Sequence, residues 1–141
     1  MIFKGAVWGV DINKDASKVA TGAADFSAKV IRTTVPLYCQ LFPLWSQVWD
    51  ALTGEEELSL QHKHIVKSVN FSSDSAAIAT ASNDKVLRIF DLEQPSEPIV
   101  KFEGHMSGIK QVMYTENNKL LLSASDDKTV RMWDTATGAE V

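Results

Sequence analysis

The sequence predicts an all-β fold of repeated antiparallel sheets, and two observations lead to this prediction. Three segments align without gaps from Val7, Val66 and Ile109, so that 59 residues separate the first two starts and 43 the last two. Within each segment, apolar runs of five or six residues alternate with turn-forming residues, which is the pattern of short β-strands. About four such strands in every 40 to 45 residues is the periodicity of a β-propeller blade and leaves almost no room for helices.

The third segment shows the order of the strands most clearly. Its strands are "IKQVMY", "KLLLSAS" and "TVRMWD", and the turns "ENN" and "DDK" separate them. A fourth strand is expected from Ala139, after the turn "ATG"; its counterpart in the second segment is "PIVKFE", which follows a loop containing Pro95 and Pro98. The expected blades are residues 1–60, 61–102 and 103–141.

Both ends of the chain are expected to interrupt a blade. The first blade lacks its beginning and the third ends before its last strand, so we expect truncation at both ends. Because propellers close with typically about 4–8 blades, three blades leave strand edges exposed. We therefore expect that residues 1–141 alone do not form a stable, monodisperse monomer.

Composition and charge narrow the classes of partner. The chain of 141 residues is 45% hydrophobic and 23% charged, which is ordinary for a globular domain. Its 14 basic and 18 acidic residues give a net charge of -4, which disfavours DNA and anionic membranes as ligands and favours proteins. The single cysteine, Cys39, excludes an internal disulfide, and "MIFKGAVWGV" lacks the features of a signal peptide. We expect a cytoplasmic and nuclear protein.

The stretch "EGHMSGIKQVMYTENNKLLLSASDDKTVRMWD" resembles a WD40 repeat. The dipeptide "GH" opens it, Ser123 lies in its second strand, Asp127 lies in the following turn, and "WD" closes it. The resemblance implies a partial WD40 β-propeller, with about three blades of a normally seven-bladed ring. It also implies that His105, Ser123, Asp127 and Trp133 form a buried hydrogen-bonded set, in which each bond would contribute about 0.5–1.5 kcal/mol.

The other two segments contain only part of this set. Phe90 replaces the tryptophan in the second segment, which removes the indole donor, and Phe3 replaces the histidine in the first. The matching members are His62, Thr80 and Asp84 in the second segment, and Thr21, Asp25 and Trp49 in the first. We expect both of these networks to be incomplete.

Residues 30–47 interrupt the register of the repeats. The closing aromatic residues Trp49, Phe90 and Trp133 are 41 and 43 residues apart, whereas the first two strand starts are 59 apart, so 18 residues are surplus. A true insertion would cut a strand and add many apolar side chains. The alternative is an unspliced intron, because valine codons begin with GT and a glutamine codon can be CAG, as at the two ends of introns. A membrane span is disfavoured because Arg32 and two prolines interrupt the segment.

Other candidate sites carry weaker signals. His62 and His64 would share one face of a strand, but no cysteine or carboxylate accompanies them at the spacing of metal ligands. Asp126 and Asp127 are adjacent turn residues, which do not suit acid–base catalysis. Trp8 could contact a partner on a propeller face or pack within a blade. We expect no catalytic, cofactor-binding or metal site, and hence no enzyme.

The stretches "GAVWG" and "HKHIVK" resemble one group of WD40 scaffold proteins more closely than generic blades do. This resemblance implies a non-catalytic scaffold of the survival-of-motor-neuron complex, which assembles spliceosomal ribonucleoproteins for mRNA processing and splicing. It also implies a role in receptor-kinase signalling by transforming growth factor β. The implied partners are components of that complex, an RNA-binding protein and a receptor kinase, with no DNA, membrane or small-molecule ligand. The alternative is a WD-repeat subunit of a translation initiation factor complex or another generic propeller scaffold.

Overall fold

The computed structural model describes residues 4–32, 56–115 and 117–141. In the described residues all regular secondary structure is β, in three antiparallel sheets. The first sheet contains β1 (Val7–Ile12), β2 (Lys18–Ala23), β3 (Ser27–Arg32) and β4 (Glu56–Gln61). The second contains β5 (Val66–Phe71), β6 (Ala77–Ser82), β7 (Val86–Asp91) and β8 (Val100–Glu103). The third contains β9 (Ile109–Tyr114), β10 (Leu120–Ser125) and β11 (Val130–Asp134).

The strands follow one another in each sheet as a meander, so each sheet has the order of a propeller blade. The all-β prediction is confirmed. In the third blade a single bridge pairs Glu140 with Trp133, in the stretch where a fourth strand is expected from Ala139. We refer to the three sheets as the first, second and third blades.

The two tight turns of each blade repeat the same backbone geometry. Each turn contains one residue in the left-handed region, with φ between 57° and 71°. These residues are Ala16, Ser75 and Asn118 in the turns before β2, β6 and β10, and Phe26, Lys85 and Lys128 in the turns before β3, β7 and β11. The spacing of 59 and 43 residues found in the sequence is therefore also the spacing of the turns.

Apolar side chains hold adjacent blades together in two clusters. One joins the first and second blades, and its buried members are Ala20, Ala28, Val30, Leu60, Val66, Val69, Phe71, Ile78 and Phe90. The other joins the second and third blades, and its buried members are Ala79, Ala81, Leu87, Ile89, Phe102, Ile109, Val112, Leu121 and Trp133. Burial of this apolar surface is the main force that stacks one blade on the next.

The outward faces of the first and third blades carry the same kinds of side chain without this cover. Val10 is 70% exposed, whereas its repeat counterpart Val69 is 4% exposed. Val130 is 71% exposed, whereas its counterpart Leu87 is fully buried. In both pairs, the exposed residue differs from its counterpart in having no described blade packed against it.

The end of β3 differs from the expected boundary of the surplus segment at Val30. The strand continues to Arg32, and Ile31 pairs with Val19 as Phe90 pairs with Ile78 in the second blade. Val30 is 1% exposed and belongs to the apolar cluster that joins the first two blades. Trp49, which was expected at this closing position, lies outside the described residues, as does most of the surplus segment.

Whether the surplus segment is a true insertion or an unspliced intron stays a prediction. Sequencing of the mature transcript distinguishes the two explanations, since an intron would be missing from the message and a true insertion would remain.

Candidate functional site

The third blade brings its four predicted site residues together. His105, which follows β8 of the second blade, lies between β10 and the turn after it. Its Nε2 atom is 2.7 Å from the Ser123 hydroxyl oxygen, and its Nδ1 atom is 2.7 Å from Asp127 Oδ2. The indole N–H of Trp133 donates to the same serine oxygen at 2.8 Å. One histidine therefore ties the second blade to the third.

The proton positions in this network follow from the partners. Asp127 as a carboxylate can only accept, so Nδ1–H of His105 is the donor to it. Ser123 accepts from Trp133, and its own hydroxyl proton points to Nε2 of the histidine. The four groups thus form one directed chain from the indole to the carboxylate, in which every buried donor is used.

Asp127 is held as a carboxylate by several donors. Burial alone would raise its pKa, but hydrogen bonds from the Thr129 hydroxyl, His105 and the amides of Met106 and Thr129 hold the pKa below its ordinary value. The Thr129 hydroxyl is 2.6 Å from Oδ1, and the Met106 amide is 2.9 Å from Oδ2. This carboxylate organises both the turn and the loop that precedes β9.

Gly104 leaves room for the tryptophan of this network. A Cβ atom on Gly104 would lie 2.9 Å from Arg131 Nη1 and 3.0 Å from the Trp133 ring. Arg131 instead extends to Glu140, with 2.8 Å between Nη1 and Oε2. The glycine of the "GH" dipeptide is therefore explained by the close approach of the indole.

The second blade uses the corresponding residues differently. His62 Nε2 is 2.9 Å from the Thr80 hydroxyl, but its Nδ1 atom faces the Leu60 carbonyl oxygen at 3.1 Å. Asp84 accepts two hydrogen bonds from the Arg88 guanidinium, at 2.7 and 3.2 Å. The structure therefore brings His62 to Thr80, while Asp84 pairs with Arg88. Sequence reasoning missed Arg88.

The environment of His62 disfavours its charged form. Burial, together with the nearby positive charge of Arg88, lowers the pKa of His62 to about 4. Its Nδ1–H donates to the Leu60 carbonyl, and the Thr80 hydroxyl donates to its Nε2 atom. His62 therefore links the first two blades as an uncharged imidazole over the whole physiological pH range.

The first blade has only fragments of the network. The Thr21 hydroxyl oxygen is buried and has no hydrogen-bond partner among the described residues. Asp25 accepts from the Ser27 hydroxyl at 2.6 Å and from the Lys4 amide at 3.2 Å, and the latter contact corresponds to Met106 and Asp127 in the third blade. Phe3 and Trp49 lie outside the described residues.

A second network, on the first strands of the blades (β1, β5 and β9), was missed by sequence reasoning. Asp11 Oδ2 accepts from the Phe71 amide at 2.7 Å and from the Asn70 side chain at 3.0 Å. Asn70 Oδ1 in turn accepts from the Tyr114 amide at 2.7 Å. A side chain of the first blade thus binds the backbone of the second, and a side chain of the second binds the backbone of the third. The available signal was that Asp11 and Asn70 occupy the same position in the repeat.

The remaining candidates have ordinary partners. The His64 ring accepts from the Ile65 amide at 2.9 Å, and Asp126 pairs with Lys110 at 2.9 Å. Trp8 is 57% exposed. Within residues 4–32, 56–115 and 117–141, no group of three His, Cys, Asp or Glu side chains could hold a metal ion. The same residues contain no helix long and apolar enough to span a membrane.

Comparison with known proteins identifies the family. The family described as "WD domain, G-beta repeat" matches residues 54–91 and 96–134. The chain is 49% identical over 107 residues to the serine-threonine kinase receptor-associated protein of Homo sapiens, which is 76% of this chain and 25% of that protein. The protein of the same name is 51% identical in Gallus gallus and 37% identical in Dictyostelium discoideum, over 25% and 30% of their lengths. The chain therefore spans less than a third of the length of these relatives. Because both matches to the WD domain lie within it, the chain belongs to the WD40 repeat family.

Proposed function

We propose that the protein acts as a non-catalytic WD-repeat scaffold in the cytoplasm and nucleus. In this proposal it takes part in spliceosomal ribonucleoprotein assembly with the survival-of-motor-neuron complex, and it associates with a receptor kinase of the transforming growth factor β pathway. The observation that carries the proposal is the 49–51% identity to vertebrate proteins whose name describes association with a serine-threonine kinase receptor.

The geometry of the blades supports a scaffold rather than an enzyme. His105, Ser123, Asp127 and Trp133 donate to and accept from one another, so their chemistry serves blade stacking. In the second blade the ion pair of Asp84 and Arg88 lies beside His62, and each of these groups has a partner within the blade or its neighbour. A general acid or base needs a proton-transfer partner in a substrate, and these side chains are occupied by the fold instead.

Co-purification tests this proposal. The full-length protein that contains these residues is tagged, expressed in cells and isolated. Its partners are identified by mass spectrometry. We expect components of the survival-of-motor-neuron complex and a receptor kinase, with a tagged unrelated propeller as the control. Recovery of translation initiation factor subunits in their place would contradict the proposal and support the alternative scaffold.

A further inference from the structure

A groove opens on the outer side of the junction between the first and second blades. Its volume is about 820 Å³, and it lies between β4, with the two residues that follow it, and the second blade's β7 and β7–β8 loop. Leu60 and Phe90 form part of its apolar base. At the corresponding place between the second and third blades, the rings of Phe102 and Trp133 pack edge to face, with 5.8 Å between their centres. Because leucine and phenylalanine are smaller than phenylalanine and tryptophan, they fill less of the space between the blades.

The charged side chains that line this groove are basic. They are Lys63, Arg88 and Lys101, and the other lining residues that the structure describes include no carboxylate. The charge of Arg88 is already balanced by Asp84, at 2.7 Å. In the part of the chain that the structure describes, neither lysine has an ion-pair partner. Two positive charges therefore line the groove without a counter-charge.

Ser96 lines the same groove, in the loop between β7 and β8. Its side chain is exposed, and its hydroxyl makes no hydrogen bond with a residue that the structure describes. By contrast, the hydroxyls of Ser17 and Ser72, in the turns after β1 and β5, are each 2.6 Å from an aspartate oxygen. Pro95 and Pro98, on either side of Ser96, restrict the backbone of the loop. An unbonded hydroxyl is therefore held at the surface, in a groove whose charges suit an anion.

We propose that Ser96 is a phosphorylation site and that its phosphate pairs with Lys63 and Lys101 in this groove. A protein kinase transfers the γ-phosphoryl group of ATP. The bond between the γ-phosphorus and ADP breaks, a bond from Ser96 Oγ to that phosphorus forms, and the hydroxyl proton passes to the kinase. The phosphate brings a charge of about −1.5 to −2 at pH 7 and three acceptor oxygens, which match two unpaired ammonium groups.

The modified loop forms a charged contact between the first two blades. Lys63 follows β4 of the first blade, whereas Ser96 and Lys101 belong to the second blade. The phosphate therefore ties the outer side of this junction together, while the pair with Lys101 holds the loop to its own blade. The glutamates on either side of Ser96, Glu93 and Glu97, are exposed and do not line the groove, so solvent and salt screen their repulsion. The inference concerns regulation of a blade junction and does not rest on the proposed function.

Phosphopeptide mapping of the full-length protein tests the modification. The protein is isolated from cells in the presence of phosphatase inhibitors and digested, and the peptide that contains Ser96 is analysed by mass spectrometry. We expect a phosphorylated fraction of this peptide that disappears after phosphatase treatment and is missing in Ser96→Ala. Recovery of the Ser96 peptide without phosphate, from both growing and growth-factor-stimulated cells, would overturn the proposal.

Amide hydrogen exchange tests where the phosphate binds. Full-length protein with phosphoserine installed at position 96 is compared with the unmodified protein. We expect exchange in β4 and in the β7–β8 loop to slow by about tenfold. This slowing should be lost in Lys63→Gln and in Lys101→Gln, because each substitution removes one of the two ammonium groups.

Phosphoserine installed at position 73 is the matched control. Ser73 is an exposed serine of the turn after β5, and it does not line the groove. This modification should change exchange in β4 and in the β7–β8 loop by less than about twofold. Equal slowing from the two phosphoserines, or slowing that survives both lysine substitutions, would contradict the proposed contact. The same slowing of the unmodified protein in inorganic phosphate would assign the groove to a free anion instead.

Discussion

The second and third blades are built from nearly the same residue types and nevertheless form different networks. In the third blade the histidine is shared by serine and aspartate, whereas in the second the aspartate belongs to Arg88 and the histidine donates to a carbonyl. Three replacements in the second blade remove a donor of the third-blade network or fill the space that its indole occupies. Val86 stands where the third blade has Thr129. Phe90 stands where it has Trp133, and Gln61 stands where it has Gly104.

These replacements are linked physically. Val86 has no hydroxyl corresponding to that of Thr129, so it donates to Asp84 only through its backbone amide, at 3.2 Å, and the carboxylate also accepts from the Arg88 guanidinium. Without an indole over it, residue 61 no longer needs to be glycine. A blade can therefore keep the hydrogen bond between its histidine and the hydroxyl of its second strand while the partners that orient the histidine change.

The largest expected difference concerns the two histidines. His105→Ala should lower the free energy of unfolding by about 4 kcal/mol, because it opens a cavity and removes the acceptor of the buried Ser123 hydroxyl together with one of the donors to Asp127. His62→Ala should lower it by about 2 kcal/mol, because Asp84 keeps Arg88. Urea unfolding of the full-length protein, with amide hydrogen exchange in β10 and β6, measures both values. Equal losses in the two variants would contradict the comparison.

The pH dependence of stability should depend on His62. Its folded pKa is about 4 and its ordinary value is 6.5, so between these two pH values the unfolded chain binds a proton that the folded chain does not. Stability attributable to His62 is therefore complete above pH 6.5 and falls, by up to roughly 3 kcal/mol, as the pH is lowered to about 4. His62→Gln should remove this slope. The free energy of unfolding is measured against pH for both proteins. Parallel curves for the wild type and His62→Gln would argue against this interpretation.

The arginines should differ in the same direction by a smaller amount. Arg88 and Asp84 are 11% and 10% exposed, so Arg88→Met strands a largely buried carboxylate and should cost about 2 kcal/mol. Arg131→Met breaks a pair whose Glu140 is 49% exposed, and this should cost less than about 1 kcal/mol. Denaturant midpoints of the two variants at one pH provide the comparison, and a larger loss for Arg131→Met would be inconsistent with it.

The smallest expected effect comes from restoring the indole in the second blade. Phe90→Trp should destabilise by about 1 kcal/mol, because the larger ring meets the Cβ atom of Gln61, which stands where the third blade has Gly104. Adding Gln61→Gly should recover most of this loss. A double-mutant cycle measures the coupling, and additive effects would show that the two positions are independent.

The repeat in the sequence was enough to predict the blades. The alignment located β9 to β11 to within a residue, and it placed Ser123, Asp127 and Trp133 on the strands and turn where they lie. This succeeds because the alternation of apolar residues and the turn residues repeat with each blade. The family resemblance is also confirmed, by the match to the WD domain over residues 54–91 and 96–134.

Partner choice in the second blade could not be predicted in the same way. Arg88 reaches Asp84 from four residues away on the next strand, and His62 faces the carbonyl of Leu60 in the preceding strand β4; neither contact has a counterpart in the third blade. The extension of β3 through Ile31 was missed because the register of the repeat favoured Trp49 at this place. These outcomes depend on which donors come close in space, which a one-dimensional pattern does not specify.

The most direct test of the exchanged partners is a nitrogen-15 NMR titration of His62 in the wild-type protein and in Arg88→Met. The account predicts a neutral ring with its proton on Nδ1 and a pKa of about 4, which should rise when the positive charge of Arg88 is removed. A pKa at or above 6.5 in the wild type, or no rise in Arg88→Met, would contradict it.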